Sequence, residues 1–209
     1  MAAAPERLMQ TLRRNIGDQR VLAAMADVPR DRFVPPDVRD QAWENIPLPI
    51  GSGQTISQPL VVARMCELLE LSGDETVLDV GTGSGYHAAV LARLARHVYS
   101  IEVHASLSQA AAESLRAAGV ENVTLVVGDG SRGLAAHAPY EAINVAAAAG
   151  GAIPPALADQ LAPGGRLVAP IEAGEQRLVV ARSTPGGVTL TQLERVRFVP
   201  LVQGVPNGT

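Results

Sequence analysis

A strict alternation of short apolar strands and helices begins at Pro59, and it restricts the chain to one broad class of fold. The expected strands are almost wholly apolar, which is typical of a parallel sheet that helices cover on both faces. Apolar residues recur three and four positions apart between these strands, as on the buried face of a helix. The pattern predicts helices at 60–71, 85–96, 105–118 and 154–162, and strands at 76–80, 97–102, 123–127 and 140–146.

Beyond Gly164-Gly165 the pattern changes to consecutive strands, expected at 166–171, 177–183 and 188–195. Consecutive strands with short connections pair in antiparallel fashion. The sequence therefore predicts an α/β fold, with a Rossmann-like doubly wound sheet that is mostly parallel and has antiparallel C-terminal strands. Gly119 is expected to end the helix at 105–118, since glycine is the usual residue at a helix C-terminus.

The segment before the alternation is patterned differently. Residues 6–16 and 18–27 are expected to be two short helices, the second with Asp18 as its N-cap. Prolines in 28–36 exclude a continuous helix there. Residues 45–59 are rich in Gly, Pro, Ser and Thr, and are expected to form an ordered loop with little regular structure.

Length and composition exclude several classes of protein. The 209 residues suit one domain, with a helical and loop cap at 1–58 and an α/β core at 59–209, ending in a turn-like tail at 204–209. No apolar run reaches the roughly 20 residues of a membrane span, and no secretory signal is expected, which predicts a soluble, cytoplasmic protein. The net charge of −4 gives no reason to expect nucleic acid as a partner.

The single cysteine and the four histidines give no sign of a metal site. Cys66 is the only cysteine and lies in an apolar helical pattern, so we expect a buried core thiol. The four histidines lack metal-ligand spacing. His97 is expected to be structural, and His87, which follows a glycine-rich loop, is expected to be a half-exposed helix residue.

That glycine-rich loop is the most informative segment. Val77-Leu-Asp-Val-Gly-Thr-Gly-Ser-Gly-Tyr86 leads from a buried strand through Gly81, Gly83 and Gly85 straight into a helix. Glycines here allow a tight turn and let a ligand lie against the backbone at the helix N-terminus. Glu102, at the end of the next strand, is placed to accept the ribose hydroxyls of a nucleoside. The alternative is an ordinary glycine-rich turn between a strand and a helix.

The glycine spacing distinguishes between nucleoside cofactors. A dinucleotide fingerprint needs its third glycine at position 86, which is tyrosine here. The observed G-x-G-x-G resembles motif I of class I AdoMet-dependent methyltransferases, which implies S-adenosyl-L-methionine (AdoMet) as the cofactor. In that fold the Val126-Val-Gly-Asp-Gly130 turn faces the adenine, so Asp129 is expected to accept from its amino group. The expected cofactor-binding residues are Gly81, Thr82, Gly83, Gly85, Glu102, Asp129 and Gly130.

The loop that precedes the core narrows the resemblance to one family. Ile46-Pro-Leu-Pro-Ile-Gly-Ser-Gly-Gln-Thr-Ile-Ser-Gln-Pro59, with Val28-Pro-Arg-Asp-Arg-Phe-Val-Pro35 upstream, closely resembles the protein-L-isoaspartate (D-aspartate) O-methyltransferases. The similarity extends over nearly the whole chain, through Val127-Gly-Asp-Gly, Gln160-Leu-Ala-Pro-Gly-Gly-Arg-Leu-Val and Val196-Arg-Phe-Val-Pro-Leu201. Its most specific part is Gly-Gln-Thr-Ile-Ser-Gln-Pro, which generic class I methyltransferases lack.

The resemblance implies methylation of the free carboxylate of an L-isoaspartyl or D-aspartyl residue in a damaged peptide or protein. The ester then closes to a succinimide, whose hydrolysis returns some normal aspartate. Ser57 matches the family's active-site serine and is expected to orient the carboxylate by a hydrogen bond; Thr55, Ile56 and Gln58 are expected to place backbone groups around the substrate. The alternative for Ser57 is the N-cap of a helix at 58–70. A monomer without membrane or nucleic-acid partners is expected.

The sequence departs from the family's pattern after the fourth strand. The family's aspartate is Glu141 here, its first proline in the following loop is glycine, and the loop at 146–154 is one residue longer. Position 202 is valine where some relatives have threonine. These departures keep a second hypothesis open, in which the enzyme methylates a normal aspartate of a ribosomally made, cyclised peptide. A third is an AdoMet-binding regulatory module without catalysis.

Overall fold

The computed structural model describes residues 3–204, and its N-terminal part is a helical cap. Helix α1 spans Ala3–Arg13 and α2 spans Gln19–Asp27. The Asp18 side chain accepts hydrogen bonds from the backbone N–H groups of Arg20 and Val21, which confirms the expected N-cap. Two 3₁₀ turns, Arg30–Phe33 and Pro36–Gln41, carry the proline-containing segment. The expected tail beyond residue 204 lies outside the described residues.

The segment at 45–59, expected to be an ordered loop with little regular structure, contains a short β-hairpin that the sequence did not predict. Strand β1 (Leu48–Gly51) pairs antiparallel with β2 (Gln54–Ile56). Leu48 lies opposite Ile56 and both side chains are buried, because this alternation gives the hairpin one apolar face. The turn passes through Ser52 and Gly53, both at positive φ. We attribute the missed hairpin to the prolines and glycines that surround these few apolar residues.

The core is a mixed sheet in the order β10-β9-β8-β6-β3-β4-β5, with the short β7 paired to β8. Strands β5, β4, β3, β6 and β8 pair in parallel, whereas β9 and β10 continue the sheet in antiparallel pairing. The strands are β3 Thr76–Val80, β4 His97–Glu102, β5 Val123–Val127, β6 Tyr140–Val145, β7 Ala149–Gly150, β8 Leu161–Ala173, β9 Glu175–Thr184 and β10 Gly187–Arg195.

Helices cover both faces of this sheet, which confirms the predicted fold class. They are α3 Pro59–Leu69, α4 Tyr86–Ala92, α5 Ala105–Ala117 and α6 Pro155–Ala158. Gly119, at φ +67°, follows the end of α5 as expected. The helix predicted at 154–162 was too long, because Tyr140 donates its N–H to Gln160 and pairs with Leu161. The residues after α6 therefore belong to the sheet.

One hydrophobic core cluster joins the cap to the sheet. It combines residues of α1, α2, α3 and α4 with one face of the central strands, and it includes Cys66, which is buried as expected. Burial raises the pKa of the Cys66 thiol. Glu141, one of the departures from the family pattern, accepts the N–H of Thr76 through Oε2 at 2.8 Å and so ties β6 to β3.

Within residues 3–204, no helix is long and apolar enough to cross a membrane. In the same part of the chain, no group of three or more His, Cys, Asp or Glu side chains is arranged to hold a metal ion.

Gly165 gives a test of the packing between β6 and β8. A Cβ atom at this position would lie 2.9 Å from the carbonyl oxygen of Ala162 and 3.0 Å from those of Glu141 and Tyr140, and backbone atoms cannot move aside cheaply. We expect Gly165→Ala to lower the free energy of unfolding by about 1–3 kcal/mol, measured by urea denaturation. Gly186→Ala is the control, since its Cβ would find its nearest neighbour at 4.0 Å; equal stability of the two variants would contradict this packing.

Candidate active site

The turn between β3 and α4 forms one wall of a cleft at the carboxyl ends of the parallel strands. Gly81, Gly83 and Gly85 have φ values of +93°, +53° and +86°, a region in which other residues are strained. The Gly81 N–H donates to the carbonyl oxygen of Ile101 at 2.9 Å, which fixes the turn to the end of β4. The backbone of Gly81 and Gly83 lines the cleft.

Glu102 lies opposite this turn, at the end of β4. Its Oε2 accepts the N–H of Gly83 at 2.8 Å and its Oε1 accepts the N–H of His104 at 2.9 Å. The side chain is only 5% exposed but still lines the cleft. Two backbone donors therefore hold the carboxylate in one orientation, and each oxygen keeps a second lone pair for a ligand hydroxyl.

Most of the other residues that line the cleft are apolar. Val80, Ile101 and Ala146 contribute, and Gly130 closes the side toward β5. A Cβ atom at Gly130 would lie 2.6 Å from Cγ1 of Val80, so glycine is needed for this close approach. An open glycine backbone, an oriented carboxylate and apolar walls match the phosphate-free nucleoside AdoMet. The residues present fit this cofactor.

Three of the expected cofactor residues, Thr82, Gly85 and Asp129, lie outside the lining of this cleft. Gly85 faces α5, where an added Cβ atom would lie 3.2 Å from Cβ of Ala111. Thr82 is 3% exposed, and its hydroxyl shares a hydrogen bond of 2.6 Å with the Ser100 hydroxyl. Asp129 caps a 3₁₀ turn by accepting from Ser131, and its Oδ2 accepts the N–H of Gly204 at 2.8 Å. Although burial acts to raise the pKa of Asp129, hydrogen bonds from Ser131 and Gly204 lower it. A contact of Asp129 with adenine stays a prediction.

Asp79 anchors a buried polar network beneath the glycine turn. It is fully buried in β3 and accepts from Ser100 Oγ and from Asn144 Nδ2, both at 2.7 Å. Because Ser100 also bonds Thr82, the chain of hydrogen bonds runs from Asp79 into the glycine turn. Burial raises the pKa of Asp79 to about 6, although the bonds from Asn144 and Ser100 act in the opposite direction.

His87 belongs to the same network, so the expectation of a half-exposed histidine was wrong. It is 6% exposed, with Nδ1 3.2 Å from Asn144 Nδ2 and Nε2 3.5 Å from Cys66 Sγ. Burial lowers its pKa to about 3, which keeps the ring neutral at physiological pH. The turn that begins α4 directs the His87 side chain toward α3, where Cys66 lies. Sequence periodicity in such a short helix does not reveal that direction.

A second cleft adjoins the first and is lined by three of the four predicted substrate-site residues. Thr55, Ser57 and Gln58 line it together with Arg195 and residues 196–199. Ile56 points away, with its side chain buried in the core. Three residues line both clefts, namely Thr55, Ala146 and Val199, so only this thin wall separates the two spaces.

Ser57 is not the N-cap of the following helix. The N-cap position of α3 is Gln58, without a side-chain cap, and the N–H of Leu60 is satisfied by Asn45 Oδ1 at 3.0 Å. Asn45 therefore takes the capping role that was the alternative interpretation of Ser57. This leaves the serine hydroxyl at the surface of the second cleft.

Sequence reasoning did not foresee the role of the altered loop after β6. Ala148 donates its N–H to Val199 and accepts the N–H of Leu201, both at 2.8 Å. Residues 149–150 form β7 and pair with Ile171 and Glu172 of β8. The loop thereby attaches residues 199–202 across the mouth of the first cleft, which they line. No local motif indicates such a pairing between distant segments.

Comparison with known proteins agrees with this geometry. The family model for protein-L-isoaspartate(D-aspartate) O-methyltransferase matches residues 3–206. The chain belongs to this family. It is 50% identical to protein-L-isoaspartate O-methyltransferase 2 of Syntrophobacter fumaroxidans, over 90% of this chain and 76% of that protein. It is 51% identical to protein-L-isoaspartate O-methyltransferase 1 of Rhodopseudomonas palustris, over 96% of this chain and 84% of that protein.

A solved structure adds information on the cofactor of a relative. It comes from Plasmodium falciparum, is assigned to the same enzyme class, and was determined in complex with S-adenosyl-L-homocysteine. It superposes with a TM-score of 0.81 at 25% identity, over 94% of this chain and 97% of that chain. The family and the class I methyltransferase fold predicted from the sequence are confirmed.

Glu102 gives the sharpest test of the first cleft. We expect Glu102→Ala to raise the dissociation constant of S-adenosyl-L-homocysteine about tenfold or more, because the ribose would lose a charged acceptor. Isothermal titration calorimetry measures this directly. Glu113→Ala on the exposed face of α5 is the control and should bind as the unaltered protein does. An unchanged affinity of the Glu102 variant would remove this residue from the cofactor site.

Proposed function

We propose that this chain methylates the free carboxylate of L-isoaspartyl, or D-aspartyl, residues in peptides and proteins, with AdoMet as the methyl donor. This step starts succinimide formation and repair. The observation that carries the proposal is the wall of Thr55, Ala146 and Val199, which borders the nucleoside cleft on one side and the Ser57 cleft on the other. A carboxylate beside Ser57 would lie next to the reactive end of a cofactor held by the glycine turn.

The reaction makes modest chemical demands on the protein. AdoMet, when bound, supplies a methyl group activated by its positively charged sulfur. A carboxyl group with a solution pKa near 4 is already ionised at neutral pH, so the chain needs no general base. Its residues have to hold the carboxylate oxygen in line with the methyl carbon and keep water away.

Ser57 is the residue that we propose orients the carboxylate. It is half-buried, lines the second cleft, and uses its carbonyl oxygen in the hydrogen bond from Arg30. We propose that its hydroxyl donates to a substrate oxygen. Thr55 and Gln58 flank it in the same cleft, and Ile56 fixes the strand by packing into the core.

Positive charge also faces the second cleft. Arg195 and Arg197 line it, and Arg195 is paired with Glu175 at 2.6 Å. The exposed Arg197 favours an anionic ligand there.

The proposal predicts which peptides are methylated. We expect transfer from labelled AdoMet to an isoaspartyl peptide, and none to its normal aspartyl twin or to a cyclised form of that twin. In an isoaspartyl residue the peptide bond runs through the side chain, so the free carboxylate is attached to Cα instead of to Cβ. The second cleft must distinguish these two positions. Transfer to the cyclised normal peptide alone would instead identify a peptide-tailoring enzyme. Absence of transfer to all three would overturn the proposed function.

Ser57→Ala separates the role of the hydroxyl from that of the fold. We expect kcat/KM for the isoaspartyl peptide to fall about tenfold to hundredfold, because one oriented hydrogen bond to a charged group is lost. The affinity for S-adenosyl-L-homocysteine should stay within about twofold of the unaltered value, since the serine lies outside the first cleft. Ser183→Ala on β9 serves as the matched control. Equal losses of turnover and cofactor affinity would contradict the role.

A further inference from the structure

The Val28–Pro35 segment contains a buried arginine that the proposed chemistry does not use. Arg30 begins the first 3₁₀ turn and its side chain has no exposed surface. A fully buried arginine is uncommon, because removing a charged group from water is costly unless polar groups surround it. The contacts of the Arg30 guanidinium group therefore indicate its role in the protein.

The guanidinium group of Arg30 binds three backbone carbonyl oxygens. Nη1 donates to Ala42 at 2.5 Å, and Nη2 donates to both Ile46 and Ser57 at 3.1 Å. Ile46 and Ser57 are the two ends of the segment that contains the β1–β2 hairpin, here called the substrate loop (Ile46–Ser57). One nitrogen atom thus closes the substrate loop at its base, and one of its two partners is the carbonyl of the proposed active-site serine.

Only arginine offers this arrangement. Its planar group presents five donors in a fixed fork, whereas lysine offers one nitrogen at the end of a flexible chain. Burial lowers the pKa of Arg30 to about 10, so the group is still charged at neutral pH. The three carbonyl dipoles compensate that charge, and their positions are fixed in return.

Arg30 also contacts the element that carries the glycine turn. Its Cζ lies 5.7 Å from the ring centroid of Tyr86, the first residue of α4 after Gly85. The Tyr86 ring is buried, packs edge-on against Phe33, and has its hydroxyl 3.8 Å from Met25 Sδ. A cation over such a ring is held by the electrons of its face. The guanidinium therefore lies between the substrate loop and the start of the cofactor-binding helix.

We propose that Arg30 is a positioning residue for methyl transfer, which fixes the base of the substrate loop and thereby the place of Ser57 relative to the cofactor cleft. This inference rests on the proposed function. It assigns Arg30 no contact with substrate or cofactor. The second cleft should depend on Arg30 more strongly than the first, because Gln54 and Thr55 are the substrate-loop residues that line the first cleft, whose glycine turn and Glu102 are held by other contacts.

The test compares Arg30→Met, Arg30→Lys and Arg32→Met. Arg30→Met keeps much of the side-chain volume and removes all donors, and Arg30→Lys keeps the charge but can satisfy fewer of the three carbonyls. Arg32→Met makes the same change two residues away, at an exposed arginine whose side chain bonds the carbonyl of Ala117 outside the substrate loop. The measurements are kcat and KM for the isoaspartyl peptide, and the dissociation constant of S-adenosyl-L-homocysteine.

For Arg30→Met we expect the peptide KM to rise about tenfold or more and kcat to fall, while the dissociation constant of S-adenosyl-L-homocysteine rises by a clearly smaller factor. Arg30→Lys should give an intermediate KM, and Arg32→Met should match the unaltered enzyme. If Arg30 only stabilised the fold in general, its replacement would weaken peptide binding and cofactor binding together, or would weaken neither. Unchanged KM in both Arg30 variants, or parallel loss of peptide and cofactor binding, would overturn the proposal.

Hydrogen–deuterium exchange gives a readout that does not depend on activity. Amides of residues 48–57 should exchange about tenfold faster in Arg30→Lys, while those of β3 and β4 keep their protection. If the unaltered enzyme methylated none of the peptides, the proposed function would fail, yet this measurement would still decide whether Arg30 fixes the substrate loop. Unaltered exchange in residues 48–57 would show that it does not.

Discussion

Parallel pairing of β3 with β4 and with β6 is the constraint on which both clefts depend. Parallel strands bring their carboxyl ends to one edge of the sheet, so the glycine turn, Glu102 and Ala146 meet there although they are distant in sequence. The turn is then fixed from two sides. The Ile101 carbonyl and the Glu102 carboxylate accept N–H groups of the turn. The buried Asp79 is connected to the turn by hydrogen bonds through Ser100 and Thr82.

The substrate side is built differently, from segments that lie outside the parallel sheet. The β1–β2 hairpin supplies Thr55, and residues 195–199 supply the opposite wall. Both segments pack apolar side chains against the core, and specific polar contacts hold each of them in addition. Arg30 binds the base of the hairpin segment, and Ala148 pairs with Val199 and Leu201. The altered loop therefore has a structural task, which fits its addition of a short strand to the sheet.

The sequence predicts the parts of this site that follow from local periodicity. Apolar strands that alternate with helices place Gly81, Gly83 and Glu102 at one sheet edge before any coordinates are known. Contacts between distant segments are not accessible in this way. The lengths of β8 and α6 depended on how Tyr140 pairs with Leu161, and the burial of His87 depended on how α4 faces α3. The cap from Asn45 to Leu60 likewise joins two residues that no motif connects.

The wall shared by the two clefts combines Thr55, Ala146 and Val199, which come from the beginning, the middle and the far part of the chain. The glycine turn and strands β3 to β10 all precede Val199 in the chain, so the residues of this wall are completed late when the chain is synthesised from its N-terminus. Catalytic competence should appear late in synthesis and abruptly. A chain interrupted before Val199 would lack one side of the partition that brings donor and acceptor together.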